Sequence, residues 1–163
     1  MLMTQSISEI NVLLLRQLSS FFVLSEDDKK AVEQSVPCAL DKCERSFSKT
    51  RNKYYSERCT KFDPLHGRQW SRFLYELARC IFLGGGASVS DKLYALNKAM
   101  ASVDLFYQVE LPDIFTFDHP LGSVMGRASY SDYFTFSQGC TVGNNRGIYL
   151  GSANRFSCCR TVR

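Results

Sequence analysis

Two histidines and seven cysteines carry most of the reactive chemistry open to this 163-residue chain. A histidine titrates near neutral pH and can take a proton from an alcohol, while a thiolate can attack a carbonyl or bind a metal. The thiols Cys38, Cys43, Cys59, Cys80, Cys140, Cys158 and Cys159 fall at irregular spacing, without a CxxC pair. That pattern fits neither a zinc site nor a disulfide framework, so they read as reduced side chains and no metal is expected. His66 lies at an otherwise apolar helix start and reads as a packing or capping residue. His119 stands in Asp118-His119-Pro120, a turn sequence, and is the better candidate for a general base.

The elements that must position His119 divide into two kinds. Ile7, Ile10, Leu14 and Leu18 recur at helical spacing, and Ser25 with Asp28 three residues later marks the N-cap of a second helix through Ala31, Val32 and Val36. Asp63 followed by Pro64 predicts a third helix start, with Trp70, Leu74, Leu77 and Ile81 as its apolar stripe and Gly84-Gly85-Gly86 as its stop. Val89, Leu93, Leu96 and Met100 give a fourth stripe, capped near Ser88 or Ser90. An all-helical subdomain is therefore expected over residues 1–101.

Beyond it, Pro112, Pro120, repeated glycines and many aromatic and β-branched residues favour short strands and turns. Val124, Tyr130, Phe136, Val142 and Ile148 are spaced six apart, with the small residues Ala128 and Cys140 four after Val124 and Phe136. Six is the repeat of a left-handed β-helix, in which three hexads make a triangular coil of about 18 residues. The predicted fold class is α+β: the helical subdomain, then a short left-handed parallel β-helix of about two coils over residues 102–150, then an irregular basic tail over 151–163. Positions fifteen apart in such a coil lie on successive layers, so Asp104 is expected to reach the imidazole of His119. A carboxylate on one ring nitrogen fixes the tautomer and leaves the other nitrogen to deprotonate an alcohol, a service worth about 10² to 10⁴ in rate.

The run from Asp118 through His119, Pro120, Leu121, Gly122, Ser123, Val124 and Met125 to Gly126, followed by Gln138 and Thr141-Val142-Gly143, resembles the β-helical core of serine acetyltransferases. Leu65-His66 resembles the helix that leads into that core, and the likeness covers roughly residues 64–145. It implies direct transfer of acetyl from acetyl-CoA, a cosubstrate and not a permanently bound cofactor, to the hydroxyl of L-serine. O-acetylserine for cysteine biosynthesis would result, without an acyl-enzyme. By the same resemblance His119 is the base, Asp104 orients it, Asp118 holds the substrate ammonium, and Gly143 belongs to the turn at the acetyl-CoA site. A homo-oligomer, a trimer or dimer of trimers, is also implied. A sugar hydroxyl of a surface polysaccharide is the alternative acceptor, and a non-catalytic oligomerisation remnant the alternative role. The pattern departs from the family after Gly143, where Asn144 replaces a second glycine, no histidine follows His119 and the hexads cease after Ile148. A truncated or altered C-terminus is the expectation.

Charge and hydropathy exclude other classes. Net charge is +4, concentrated in residues 41–61 and 146–163, and mean hydropathy is −0.17. Arg45, Lys49, Arg51, Lys53, Arg58 and Lys61 alternate with Phe47, Tyr54 and Tyr55, but Asp41, Glu44 and Glu57 dilute the patch, so a solvated helix face is expected and no nucleic acid partner. Arg16 interrupts the only long apolar run, Ile10 to Leu24, and no basic lead precedes it, so neither a membrane span nor a signal peptide is expected and the protein reads as cytoplasmic.

Overall fold

Ser6 and Ser25 open the first two helices in the same way. Each hydroxyl accepts from the backbone three residues on, and the carboxylates of Glu9 and Asp28 accept in return from the cap backbone. The computed structural model describes residues 1–50, 52–55 and 59–143, and the backbone of 155–157. Its elements run β1 (Leu2–Met3), α1 (Ile7–Phe21), α2 (Glu26–Lys49), β2 (Lys61–Phe62), α3 (Gly67–Leu83), α4 (Ala87–Ala101), β3 (Val103–Leu105), β4 (Phe115–Asp118), β5 (Ser123–Met125), β6 (Phe134–Ser137), β7 (Thr141–Gly143) and β8 (Arg155–Ser157). Among the described residues no helix is long and apolar enough to cross a membrane.

The helical stripes meet in one core. Ile10, Leu14 and Leu18 of α1 pack with Val32, Val36 and Leu40 of α2, Phe73, Leu74 and Leu77 of α3, and Leu93 and Leu96 of α4. Two helix starts differ from the sequence reading. Asp63 and Pro64 form a turn instead of opening α3: the Asp63 carboxylate accepts from the Leu65 amide at 2.9 Å and its carbonyl from the His66 amide at 3.0 Å, so the helix begins only at Gly67. At α4 the N-cap is Gly86, not a serine. The Ser90 hydroxyl lies 2.9 Å from the Ala78 carbonyl and 2.8 Å from that of Gly86, tying α4 to α3.

After α4 the chain winds into stacked parallel strands. β3, β5 and β7 form one ladder, extended by antiparallel β8, and β4 pairs with β6 in a second. β8 falls within the segment read as an irregular tail. Val103 stands opposite Ser123, Phe115 opposite Phe134 and Val124 opposite Thr141, so successive layers take 20, 19 and 17 residues. These unequal layers correct the hexad register. Phe136 and Val142 are interior, but Val124 is 38% exposed and its neighbours Ser123 and Met125 point inward. A strict period of six requires equal layers, and a chain that gains or loses residues at its corners shifts the inward positions by one. Tyr130 is half-buried, and Ile148 lies outside the described residues.

The corners are stacked too. The Gly122 amide donates to the Ser102 carbonyl and the Gly139 amide to that of Leu121, each at 2.9 Å, and all three corner residues Ser102, Gly122 and Gly139 have positive φ. At Gly126 the backbone comes so close to the Val142 carbonyl that a side chain there would collide with it.

Arg72 of α3 joins the helices to the strands. Its guanidinium, 3% exposed, pairs with Glu76 at 2.7 Å, donates to the carbonyls of Phe115 and Asp113 at 3.1 Å each, and lies 3.4 Å over the Phe115 ring. Phe115 begins the strand that ends at Asp118, directly before His119.

Candidate active site

β4 delivers Asp118 and His119 to a corner of the coil. Phe115 and Phe117 anchor the strand in the second core with Phe136 and Val142, leaving Thr116 and Asp118 on the outer side. His119 then leaves the strand with φ of 49°, a left-handed conformation uncommon outside glycine, and its side chain is 70% exposed. Its Nε2 lies 4.0 Å from Asp118 Oδ1. Asp118 Oδ1 also accepts from the Arg68 guanidinium at 2.9 Å, so any substrate ammonium sought by Asp118 meets a guanidinium already in place.

Arg68 stands between two clefts and lines both. One, of about 450 Å³, runs between the start of α3, the end of α4 and the 119–121 corner, with His66, His119, Trp70, Ser71, Asn97 and Leu121 among its walls. The other, of about 370 Å³, is more polar and includes Lys49, Asn52, Thr116, Asp118, Tyr133 and Thr135. His66 occupies the N-cap position of α3 without making a side-chain cap bond, and packs 5.7 Å from the rings of both Tyr54 and Tyr55. Packing, not capping, is its local role. Burial, helped by the nearby positive charge of Arg68, lowers its pKa below the ordinary histidine value.

The structure does not join Asp104 to His119. Asp104 accepts from the Tyr94 hydroxyl and the Lys98 ammonium, each at 2.6 Å, and its partner across the ladder is Val124, five residues beyond His119. The layer of 20 residues moves the carboxylate out of step with the expected stacking, and α4 presents two donors one turn apart just before the strand. Partial burial alone would raise the pKa of Asp104, but the bonds from Lys98 and Tyr94 outweigh it and hold the carboxyl below the usual aspartate range. Gly143 is the last residue of β7, half-buried and opposite Arg155 of β8. Among the described residues no three His, Cys, Asp or Glu side chains gather as a metal site would.

Arg68 had no local signature in the sequence, because its partner Asp118 lies 50 residues away; Arg72 pairs with Glu76 four residues on, but the carbonyls it holds in the strand segment lie up to 43 residues away. A readable signal for the strands did exist: Phe115-Thr116-Phe117-Asp118 and Phe134-Thr135-Phe136-Ser137 repeat at a spacing of 19 and pair residue for residue.

Among solved structures, the chain is similar to a truncated serine acetyltransferase apoenzyme, with a TM-score of 0.56 and 18% identity over 80% of this chain and 54% of that one. It is likewise similar to a serine acetyltransferase in complex with cysteine, with a TM-score of 0.54 and 20% identity over 80% and 50% of the two chains. A third, in complex with CoA, gives a TM-score of 0.54 and 17% identity over 71% and 50%. The chain has a serine acetyltransferase-like fold. It spans about half the length of these structures. No family model matches it, and no curated protein matches it in sequence. What the serine acetyltransferase-like fold brings together here is an exposed imidazole on a strained corner, an acidic neighbour held by Arg68, and a cleft large enough for a small molecule.

Proposed function

We propose that the chain is an acetyl-CoA-dependent O-acyltransferase with His119 as its general base and L-serine as acceptor, acting in the cytoplasm. The observation that carries this reading is the placement of His119, in a left-handed conformation after β4 and on the wall of the larger cleft, within a serine acetyltransferase-like fold. Strained backbone at an exposed imidazole is a hallmark of a group positioned for chemistry. One ring nitrogen takes the hydroxyl proton as the oxygen attacks the thioester carbonyl, and the proton then passes to the departing thiolate of CoA.

In this proposal Asp104 orients the imidazole once it exchanges its bonds to Lys98 and Tyr94 for one to His119. Asp118 meets the acceptor's ammonium, and Gly143 lies at the edge where acetyl-CoA binds. The proposed organisation is a helical subdomain over 1–101, a left-handed coil over 102–150 and a tail over 151–163, assembled as a homotrimer or a dimer of trimers.

The test is acetyl transfer from radiolabelled acetyl-CoA to L-serine by wild type and His119→Ala. A loss of about 10² to 10⁴ in kcat/KM is expected. Unchanged turnover in the variant rejects the assignment, and labelled sugar without O-acetylserine in an acceptor panel would move the substrate from serine to a carbohydrate.

A further inference from the structure

The smaller, polar cleft holds a charge imbalance that the fold does not use. Its wall sets the cations Lys49 and Arg68 against one carboxylate, Asp118, which leaves a positive charge over for an anionic group. Lys49, the last residue of α2, is exposed and makes no ion pair among the described residues. Arg68 donates through Nη1 alone, to Asp118 Oδ1 at 2.9 Å, so its other N–H groups and Asp118 Oδ2 have no protein partner among the described residues. The Arg68 side chain is 15% exposed and that of Asp118 54%, so both reach the open cleft. Backbone strain gathers at the same place. Thr116 of β4 and Thr135 of β6 face each other across the ladder that lines the cleft, and the two strands are bracketed by non-glycine residues of positive φ, His119 at 49° after β4 and Tyr133 at 66° before β6. Tyr133 is 68% exposed on the cleft wall. Such backbone is costly and clusters where ligands are held.

We infer that this cleft reads the carboxylate of the acceptor: Arg68 and Lys49 hold the carboxylate of a free α-amino acid beside the ammonium taken by Asp118, and the β-hydroxyl points to His119. The inference rests on the proposed acceptor reading and narrows it to zwitterions. A guanidinium has five N–H donors and a carboxylate about four lone-pair sites, so the ligand engages both ends of the Arg68 to Asp118 pair without breaking it. Asp118 Oδ1 lies 4.0 Å from His119 Nε2, which lets one molecule bring an ammonium to the first and a hydroxyl on the adjoining carbon to the second. A neutral sugar, lacking both charges, gains nothing from these cations.

Neutralising the ligand's carboxylate while keeping its shape isolates this claim. L-Serine and L-serinamide are titrated calorimetrically, without acetyl-CoA, into wild type, Arg68→Gln and Lys49→Met, at about pH 6 so that both ligands keep a charged ammonium. Wild type should prefer L-serine about ten- to hundredfold, the value of a hydrogen bond to a charged group, and both variants should lose most of that preference. Lys49 is exposed, so its substitution keeps the fold even if Arg68→Gln does not. No saturable binding of L-serine, equal affinity for the two ligands in wild type, or a preference that survives in both variants overturns the inference. Carboxylate-selective binding without O-acetylserine once acetyl-CoA is added upholds it and refutes the acyl-transfer reading. Serinamide acetylated as readily as L-serine leaves acyl transfer standing and overturns the inference.

Discussion

Replacing Arg72 by methionine removes the nearer of the two positive charges that face the buried Glu76 and the donor that holds two carbonyls of the Asp113 to Phe115 segment. Glu76 is 5% exposed and keeps only Lys42 at 3.5 Å. Breaking a buried pair by deleting one partner costs about 3–5 kcal/mol, and the remaining lysine puts the loss toward the lower end. The Phe115 carbonyl still receives the Ser46 hydroxyl at 3.1 Å, so the orphaned Asp113 carbonyl adds about 1 kcal/mol. A total of about 4 kcal/mol follows. With a urea slope of about 2 kcal/mol per molar, the unfolding midpoint should fall by about 2 M.

The double variant Arg72→Met with Glu76→Met separates charge from packing. Both charges leave together, the methionines refill much of the volume, and the cost should shrink to about 1–2 kcal/mol. Equilibrium urea unfolding followed by far-UV circular dichroism measures all three proteins. A single variant that loses less than about 1 kcal/mol, or a double variant as unstable as the single one, would refute the view that an ion pair inside the helical layer holds the strand leading to His119.

Three further outcomes follow from the same structure. Gly126→Ala forces a methyl group against the Val142 backbone and should cost about 1–3 kcal/mol by thermal unfolding, whereas Gly67→Ala, which meets nothing within 4 Å, should cost less. Because burial lowers the pKa of His66, the unfolded chain binds a proton there before the folded one does; stability should fall as pH drops below about 6.5, and His66→Asn should flatten that slope in a Tm series. The lowered pKa of Asp104 stabilises the fold above the unfolded aspartate value of about 3.9 and is lost as pH falls through the lower folded value, so Lys98→Met should reduce the acid-side slope, with less than about 1 kcal/mol of coupling in a double-mutant cycle.

The helices were legible because their rules are local. Ile10, Leu14 and Leu18 needed only a period, and Ser25 with Asp28 only a spacing of three, to be placed correctly. Asp63-Pro64 misled because the same pair also makes a turn, and which it makes depends on Gln69, whose side-chain oxygen takes the Asp63 amide at 2.7 Å. In the strands a period of six captured Phe136 and Val142 but not Val124, since corner lengths are set by contacts between layers that no single layer encodes. The Phe-Thr-Phe repeat carried the actual register of its ladder, 19 residues, and a search for self-similarity instead of a fixed period would have found it.

The same geometry bears on the acid–base pair. A separation of fifteen residues brings Asp104 toward His119 only when a layer has about 18, and here the layer that starts at Val103 has 20. The two extra residues carry the strand partner of Asp104 on to Val124 and leave its carboxylate to α4, where Lys98 satisfies its charge and Tyr94 its second oxygen. Both donors sit on one helix face and both bonds are 2.6 Å, so moving Asp104 to the imidazole means giving up two charge-assisted contacts for one. If His119 works with Asp104, then Lys98→Met, which removes the stronger of the competing bonds, should raise kcat while leaving the KM for acetyl-CoA unchanged. If His119 works without it, Asp104→Asn should leave the pH profile of kcat in place.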